Sequence, residues 1–223
     1  TAGTVLLKDI YPGAAGSYPS YLVVFGNSLY FAASSSSTGG ELWKSDGTAN
    51  GTVLLKDISA GTAGSSPYGF KAVGSRLFFV ANDGLTGFEL WSTTGTASGT
   101  ALVKDIKTGN AYAQSYPSYF TVLGSTLYFS ADDGTNGREL WKSDGTSNGT
   151  SMVKDIRPGK YGGSALNITV MGSALYFSAD NGTNGYELWK SDGTSANTVM
   201  LKDIDPGSAY GAPSDLVVVG NTL

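Results

Sequence analysis

The chain has 223 residues, of which 14% are charged, and its formal net charge is −4. It contains neither cysteine nor histidine, which excludes disulfides, thiolate metal sites and catalytic arrangements that use histidine as the base. No basic stripe is present to neutralise phosphates, so nucleic-acid binding is not expected, and no apolar run approaches the roughly 20 residues that a membrane-spanning helix needs.

One unit recurs along the chain. The stretch 139–156 reads ELWKSDGTSNGTSMVKDI, versions of it occupy 41–58, 89–106 and 187–204, and a truncated copy opens the chain at 1–10. The Lys-Asp-Ile triplets follow one another at intervals of 48 or 50 residues, ending at Ile10, Ile58, Ile106, Ile156 and Ile204. A period of about 40–50 residues with several short strands is typical of β-propeller blades.

The predicted elements are all strands. The segment 1–10 predicts an outer strand without the three strands that should precede it. Four full blades, each of four short strands joined by tight glycine-containing turns, are predicted at 20–58, 69–106, 118–156 and 166–204. The segment 214–223 predicts one further inner strand.

We therefore expect one all-β domain over 1–223, a β-propeller of about 48-residue four-stranded antiparallel blades, with four full blades and a split fifth. The two middle strands of that fifth blade are missing. The chain is then part of a longer array, or the ordered part of a five-blade ring, or another chain supplies the missing strands.

The segments that read ELWKSDGTxxGT, followed by LVKDI, resemble the ELWxxDGT repeats of large bacterial surface and secreted proteins. The resemblance covers essentially the whole chain and implies a propeller-like repeat architecture in an exported protein, located outside the cell or at its surface. It implies little about the ligand. One copy departs from the pattern, because Ser92-Thr93-Thr94-Gly95 stands where the others have Lys-Ser-Asp-Gly.

Tyrosines cluster at the connections between predicted blades. In a four-strand meander these connections lie on the same side as the loops between the second and third strands, a side we call the loop face, and binding residues commonly sit on such loops. A tyrosine offers an apolar ring with a polar tip, which suits stacking on a sugar ring or covering the core at this mouth. The candidate ligand-binding residues are Tyr18, Tyr21, Tyr68, Tyr116 and Tyr119.

The loops between the second and third strands are rich in oxygen ligands and glycine. Calcium takes six to eight oxygen ligands, and it is the metal that a chain without histidine or cysteine could hold. The alternatives are a calcium site and simple turn formation. The candidate ligands are Asp83, Asp132, Asp133 and Asp180.

Two positions of the third strand repeat in every blade. The tryptophans are predicted to pack between blades, the alternative being an exposed ring of aromatic platforms: Trp43, Trp91, Trp141 and Trp189. The glutamates, in a sparsely charged chain with an equally periodic lysine, predict structural Glu–Lys cross-strand pairs: Glu41, Glu89, Glu139 and Glu187. The aspartate of each Ser-Asp-Gly-Thr turn is predicted to cap its own turn.

Together these patterns predict a non-enzymatic extracellular binding or adhesion module that recognises a glycan or surface polymer through the loop face. The alternative is a structural repeat protein that self-assembles with other copies through incomplete blade edges, as a filament, sheath or surface layer. A sialidase-type enzyme is not expected, because Arg76, Arg138 and Arg157 do not share a repeat position. No cofactor other than calcium is predicted.

Overall fold

The computed structural model describes residues 3–207 and 211–223. Within these residues the chain forms sixteen strands and no helix. The strands are β1 (Ser20–Phe25), β2 (Ser28–Ser35), β3 (Gly39–Ser45), β4 (Val53–Lys56), β5 (Tyr68–Val73), β6 (Arg76–Asn82), β7 (Phe88–Thr93), β8 (Thr100–Lys104), β9 (Ser118–Leu123), β10 (Thr126–Asp132), β11 (Arg138–Ser143), β12 (Ser151–Lys154), β13 (Leu166–Met171), β14 (Ala174–Asp180), β15 (Tyr186–Ser191) and β16 (Val199–Lys202).

The strands pair antiparallel in four sheets of four, each following the order of the chain. We call them blade 1 (β1–β4), blade 2 (β5–β8), blade 3 (β9–β12) and blade 4 (β13–β16). Tight turns enforce this order. Phe25 pairs with Ser28 across a two-residue turn whose first residue, Gly26, has a φ of 58°, the left-handed conformation that such hairpins need. The four predicted blades are confirmed.

The contacts divide the chain into two compact units. The first contains residues 1–102 and 109–112, and it includes blade 1 and most of blade 2. The second contains residues 103–108 and 113–223, with blades 3 and 4. Within the first unit the inner strands β1 and β5 contact each other, and within the second unit β9 and β13 do so.

The cores lie between neighbouring blades, because the middle strands are buried on both faces. In the first unit Leu42 and Ile58 of blade 1 share a cluster with Phe79 and Trp91 of blade 2. In the second unit Leu140 and Ile156 pack with Phe177 and Trp189 in the same way. Both faces of a middle strand must therefore be apolar, which explains why such strands read as continuous apolar runs rather than as an alternation.

The two terminal segments do not form strands. Residues 4–10 carry no strand, and 216–223 show an isolated bridge between Val219 and Thr222; residues 1 and 2 of the predicted segment 1–10 lie outside the described residues. A strand needs a partner, and the two middle strands that would pair with these segments are absent from the sequence. The described residues contain no helix long and apolar enough to cross a membrane.

Candidate functional site

A left-handed backbone conformation recurs at each connection between blades. Two residues three positions apart have positive φ, for example 46° at Tyr18 and 55° at Tyr21, or 45° at Tyr116 and 57° at Tyr119. The other copies place Ser66 and Gly69, Ser164 and Asn167, and Ala212 and Asp215 at these two positions. The conformation therefore belongs to the repeat, whereas the side chain varies from copy to copy.

The second of these positions lies in a β-bulge of the inner strand. The register of β1 against β2 shifts between Ser20 and Val23, on either side of Tyr21, and the register of β5 against β6 shifts between Tyr68 and Lys71. A bulge turns one side chain away from the regular alternation. Left-handed φ is strained for tyrosine and free of strain for glycine, which occupies this position in blade 2 as Gly69.

Three of the five candidate tyrosines line one cleft in the first unit. The rings of Tyr21 and Tyr68 lie 6.2 Å apart between centroids, and that of Tyr68 lies 5.9 Å from Phe88. Tyr18 lines the same cleft. Its side chain is 78% exposed and that of Tyr21 is 61% exposed, so both rings face solvent. The cleft has a volume of about 340 Å³, within the range of small-molecule sites.

The lining of this cleft is aromatic and carries no charge. Besides the aromatic residues, Ser20, Ser34 and Ser66 line the cleft. No carboxylate or amine stands among the lining residues. The cleft therefore offers flat apolar surfaces and neutral hydrogen-bonding groups, which match a neutral ligand that has both hydroxyls and C–H faces.

Tyr116 and Tyr119 belong to the second unit and are not among the residues that line this cleft. Both side chains are exposed. Arg138 donates hydrogen bonds to the carbonyl of Tyr116 at 2.9 Å and to the hydroxyl of Ser118 at 3.1 Å. The five tyrosines thus occupy three different repeat positions, and sequence reasoning had treated them as one group.

Phe88 and Ser66 are lining residues that sequence reasoning missed. Phe88 occupies the position in the third strand directly before the repeated glutamate, where the other blades have Gly40, Arg138 and Tyr186. This position is variable between repeats in which the next two residues, Glu and Leu, do not change. That variation was the signal available in the sequence. Side chains that stabilise the fold recur in every copy, whereas side chains that form one particular site do not have to recur.

Glu41 holds the connection that forms one wall of the cleft. Its carboxylate accepts hydrogen bonds from the backbone N–H groups of Ile58 at 3.0 Å and Ser65 at 2.8 Å, and from the Ser65 hydroxyl at 2.5 Å. The side chain is fully buried. Burial raises the pKa of this carboxyl, against the lowering effect of the hydrogen bonds from Ser65 and Ile58. Glu41 therefore fixes the backbone immediately before Ser66, Pro67 and Tyr68.

The same arrangement recurs in the second unit, and it corrects the predicted Glu–Lys pairs. Glu139 accepts from the N–H of Arg157 at 3.0 Å and from that of Gly163 at 2.5 Å, and Glu187 accepts from Ile204 and Gly211. Glu89 is equally buried. The predicted pairing was wrong for Glu41, Glu139 and Glu187, because loop N–H groups need an acceptor and a carboxylate in the core satisfies several of them at once.

The periodic lysines instead connect each blade to the next. Lys56 donates to the carbonyl of Thr100 at 2.8 Å, and Lys154 donates to that of Thr198 at 2.7 Å. The acceptors follow the Ser-Asp-Gly-Thr type turns. These turns are closed as predicted by their own aspartate: Asp46 accepts from the N–H of Thr48 at 2.9 Å.

The candidate calcium ligands are engaged in turns and ion pairs. Asp83 accepts from the N–H groups of the two residues at 85 and 86, and Asp133 from those at 135 and 136. Asp132 pairs with Lys107 at 2.6 Å, and Asp180 pairs with Arg157. Over residues 3–207 and 211–223, no group of three or more acidic side chains is placed to hold a metal. These contacts support turn formation, and calcium binding stays a prediction.

All four tryptophans are buried. Trp91 packs with Leu42 of the preceding blade, and Trp189 packs with Leu140. Trp43 packs against Ile10 of the N-terminal segment. The predicted packing between blades is confirmed for Trp91 and Trp189, and the alternative of an exposed aromatic ring is wrong for all four tryptophans.

The comparisons with known proteins support the fold and leave the family open. No family model matches the sequence, and no curated protein matches it. Among solved structures, a puromycin-hydrolyzing peptidase of Mycobacterium tuberculosis is similar, with a TM-score of 0.56 and 10% identity over 91% of this chain and 30% of that chain. A puromycin hydrolase mutant complexed with PGG is similar with a TM-score of 0.53 and 15% identity over 85% of this chain and 28% of that chain. This chain spans less than a third of the length of either structure, and together with its four meander sheets the likeness identifies the β-propeller fold.

Proposed function

We propose that this protein is a non-enzymatic, secreted or cell-surface binding module that recognises a neutral glycan through the cleft of Tyr18, Tyr21, Tyr68 and Phe88. The single observation that supports this most is the cleft itself, an uncharged aromatic hollow of about 340 Å³ on the loop face. A sugar ring would lay its C–H face on the tyrosines and exchange hydrogen bonds with Ser20, Ser34, Ser66 and the tyrosine hydroxyls.

The backbone supports the same proposal. Tyr18 and Tyr21 adopt left-handed φ, which costs a non-glycine residue on the order of 1–3 kcal/mol. Gly69 shows that the repeat accepts glycine at the position of Tyr21. Glycine would adopt this backbone conformation without strain, so a tyrosine is expected here only where its side chain has a function. For an exposed ring, that function is contact with a ligand.

The chemistry of the lining favours binding over catalysis. A general acid or base must stand within hydrogen-bonding reach of the reacting atom. The lining residues of the cleft offer hydroxyls and aromatic rings, with no carboxylate, imidazole or thiol among them. The extracellular or surface location in this proposal rests on the resemblance of the repeats to those of bacterial surface and secreted proteins.

The test is a glycan array probed with the fluorescently labelled full chain, followed by calorimetry on the sugars that bind. Replacing Tyr21 with glycine and Tyr68 with alanine should weaken binding at least tenfold. Tyr112→Ala is the matched control, because Tyr112 is an exposed tyrosine in a different connection and does not line the cleft. An array without any neutral glycan bound, or unchanged affinity in the Tyr21 and Tyr68 variants, would contradict the proposal.

A second function, self-assembly with other copies of the chain, is favoured by a different surface. It rests on the exposed apolar side chains of Leu201 and Ile204 in blade 4, and sedimentation equilibrium of the chain tests it.

A further inference from the structure

The second unit repeats the segments that form the cleft of the first unit. Five lining residues of the cleft are Tyr18, Ser20, Tyr21, Gly40 and Ser66. At the same repeat positions the second unit has Tyr116, Ser118, Tyr119, Arg138 and Ser164. Four of these five pairs keep the residue type, and the pair that differs is Gly40 and Arg138.

The backbone of the two copies is the same around this difference. The φ of Ser66 is 48° and that of Ser164 is 49°. The N–H of Ser66 donates to the carbonyl of Gly40 at 3.0 Å, and the N–H of Ser164 donates to that of Arg138 at 2.7 Å. The copies therefore present the same frame, and what distinguishes them at this position is the side chain.

The side chain of Arg138 lies within the copy in the second unit. Its Nη1 donates to the carbonyls of Tyr116 at 2.9 Å and Ser130 at 3.2 Å, and to the hydroxyl of Ser118 at 3.1 Å. The residues at these three repeat positions in the first unit all line the cleft: Tyr18, Ser20 and Ala32. The guanidinium group thus occupies the space that corresponds to the open cleft.

The exposure of the tyrosines agrees with this. In the first unit the side chains of Tyr18 and Tyr21 are 78% and 61% exposed. Their equivalents beside Arg138, Tyr116 and Tyr119, are 46% and 43% exposed. The pair of rings next to the arginine is the less exposed pair, as a filled site requires.

Position 40 has room for a side chain. A Cβ on Gly40 would meet the hydroxyl oxygen of Ser34 at 3.4 Å, an ordinary van der Waals contact, and no other atom within 4 Å. Gly40 also has no left-handed φ that would require glycine. The fold therefore does not demand glycine here, and the consequence of having it is an open cleft.

We propose that the residue directly before the repeated glutamate decides whether a copy of the site is open, so that Gly40 opens the cleft and Arg138 fills its counterpart. A ligand in the first unit takes the space that the guanidinium group takes in the second. Gly40 is then a specificity-determining residue, a role that rests on the proposed glycan binding, whereas the filling of the site by an arginine does not.

Hydroxyl-radical footprinting read by mass spectrometry tests the filling without any ligand. In a Gly40→Arg variant, labelling of Tyr18 and Tyr21 should fall to the level of their two equivalents in the second unit. Circular dichroism and the urea midpoint establish that the variant is folded. Unchanged labelling of both tyrosines in the folded variant would overturn the proposal.

The reverse substitution makes a separate test in the second unit. In an Arg138→Gly variant, labelling of Tyr116 and Tyr119 should rise, because the guanidinium group no longer covers the site. Labelling that does not rise in this folded variant would contradict the filling even if Gly40→Arg failed to fold.

Calorimetry with a glycan that binds the unaltered chain tests the role of Gly40 in recognition. Gly40→Arg should weaken binding at least tenfold. Leu85→Arg is the matched control, because it adds the same charge at a 73% exposed position of the same unit that does not line the cleft, and its affinity should be unchanged.

The two measurements separate the two ideas. Reduced labelling with unchanged affinity would mean that the glycan binds elsewhere, which overturns the proposed function and the specificity role of Gly40 together. Unchanged labelling would overturn the filling and leave the proposed function standing. Reduced labelling with lost affinity in Gly40→Arg, and full affinity in Leu85→Arg, supports both.

Discussion

The ammonium group of Lys56 donates a hydrogen bond to the carbonyl oxygen of Thr100 at 2.8 Å. The two residues stand 44 positions apart, and the bond connects the outer strand of one blade with the turn region of the next. Lys8, Lys104 and Lys154 make the same bond to Thr52, Thr150 and Thr198. Because this contact recurs at the period of the repeat, it helps to hold neighbouring blades together.

Replacing Lys56 with methionine is expected to lower the free energy of unfolding by about 1–2 kcal/mol, because a half-buried hydrogen bond from a charged donor is lost. Urea denaturation followed by circular dichroism measures it. Lys202→Met is the control at the same repeat position in blade 4, and at a concentration where the protein is monomeric it should be neutral. Equal effects of the two substitutions would show that the bond to Thr100 contributes nothing.

Replacing Glu41 with alanine is expected to destabilise the protein by about 3 kcal/mol or more. The substitution leaves the buried N–H groups of Ile58, Ser59 and Ser65 without their acceptor, and each unsatisfied buried donor costs about 1–3 kcal/mol before the loop relaxes. Asp46→Ala removes an exposed carboxylate that closes a single turn, and its effect should be clearly smaller. The two unfolding midpoints in urea give the comparison.

The Glu41 substitution should also affect the cleft. Glu41 fixes Ser65, and the next three residues line the cleft, so the variant should lose glycan affinity even under conditions in which it stays folded. An unchanged affinity in the folded variant would separate the two roles and contradict this connection.

The ionisation of Glu139 is expected to make stability depend on pH. Burial raises the pKa of this carboxyl from 4.5 to about 7, against the lowering effect of the N–H groups of Arg157, Ile156 and Gly163. Because the folded state holds the proton more tightly than the unfolded state, this contribution to stability is fully present below pH 4.5. It is lost as the pH rises through about 7, and it amounts to about 3 kcal/mol at most.

A Glu139→Gln variant provides the measurement. The free energy of unfolding of the unaltered protein, minus that of the variant, should fall between pH 4.5 and pH 7.5. Taking the difference removes the contributions of carboxylates such as Asp46 and Asp192, whose pKa values hydrogen bonds from Thr48 and Thr194 lower. A difference that does not vary with pH would mean that Glu139 is ionised throughout this range.

Tyr119 should be replaceable by glycine at less cost than by alanine. Its φ is 57°, a conformation that costs an L-residue roughly 1–2 kcal/mol and that glycine adopts freely. We expect Tyr119→Gly to be about 1 kcal/mol more stable than Tyr119→Ala in thermal or urea unfolding. The reverse order would show that this position does not keep a left-handed backbone in solution.

The number of blades, their four-strand meanders and their turn chemistry could all be predicted from the sequence. These features depend on short-range information: an apolar run forms a strand, Ser-Asp-Gly-Thr closes on its own aspartate, and the period repeats both. The burial of Trp91 and Trp189 followed from the same pattern, because the middle strands of the fold have no exposed face.

The candidate site could be predicted only in part. Sequence reasoning placed Tyr18, Tyr21 and Tyr68 on the loop face, and the structure brings them together in one cleft with Phe88. Sequence reasoning assigned Glu41 the wrong partner. A glutamate and a lysine that recur at the same period are compatible with a direct ion pair, but they are equally compatible with two separate structural roles. The left-handed φ of Tyr21 could not be predicted from its residue type, since glycine occupies that position only in blade 2.

The sequence by itself determined the repeating unit, because every copy carries its own strand pattern and its own turn residues. Only the tertiary structure decided which groups of one copy meet those of the next, that the glutamates bind loop N–H groups, and that the lysines reach across to the following turn. The physical reason is that identical copies offer many equivalent pairings, and packing between blades selects among them through distance and burial.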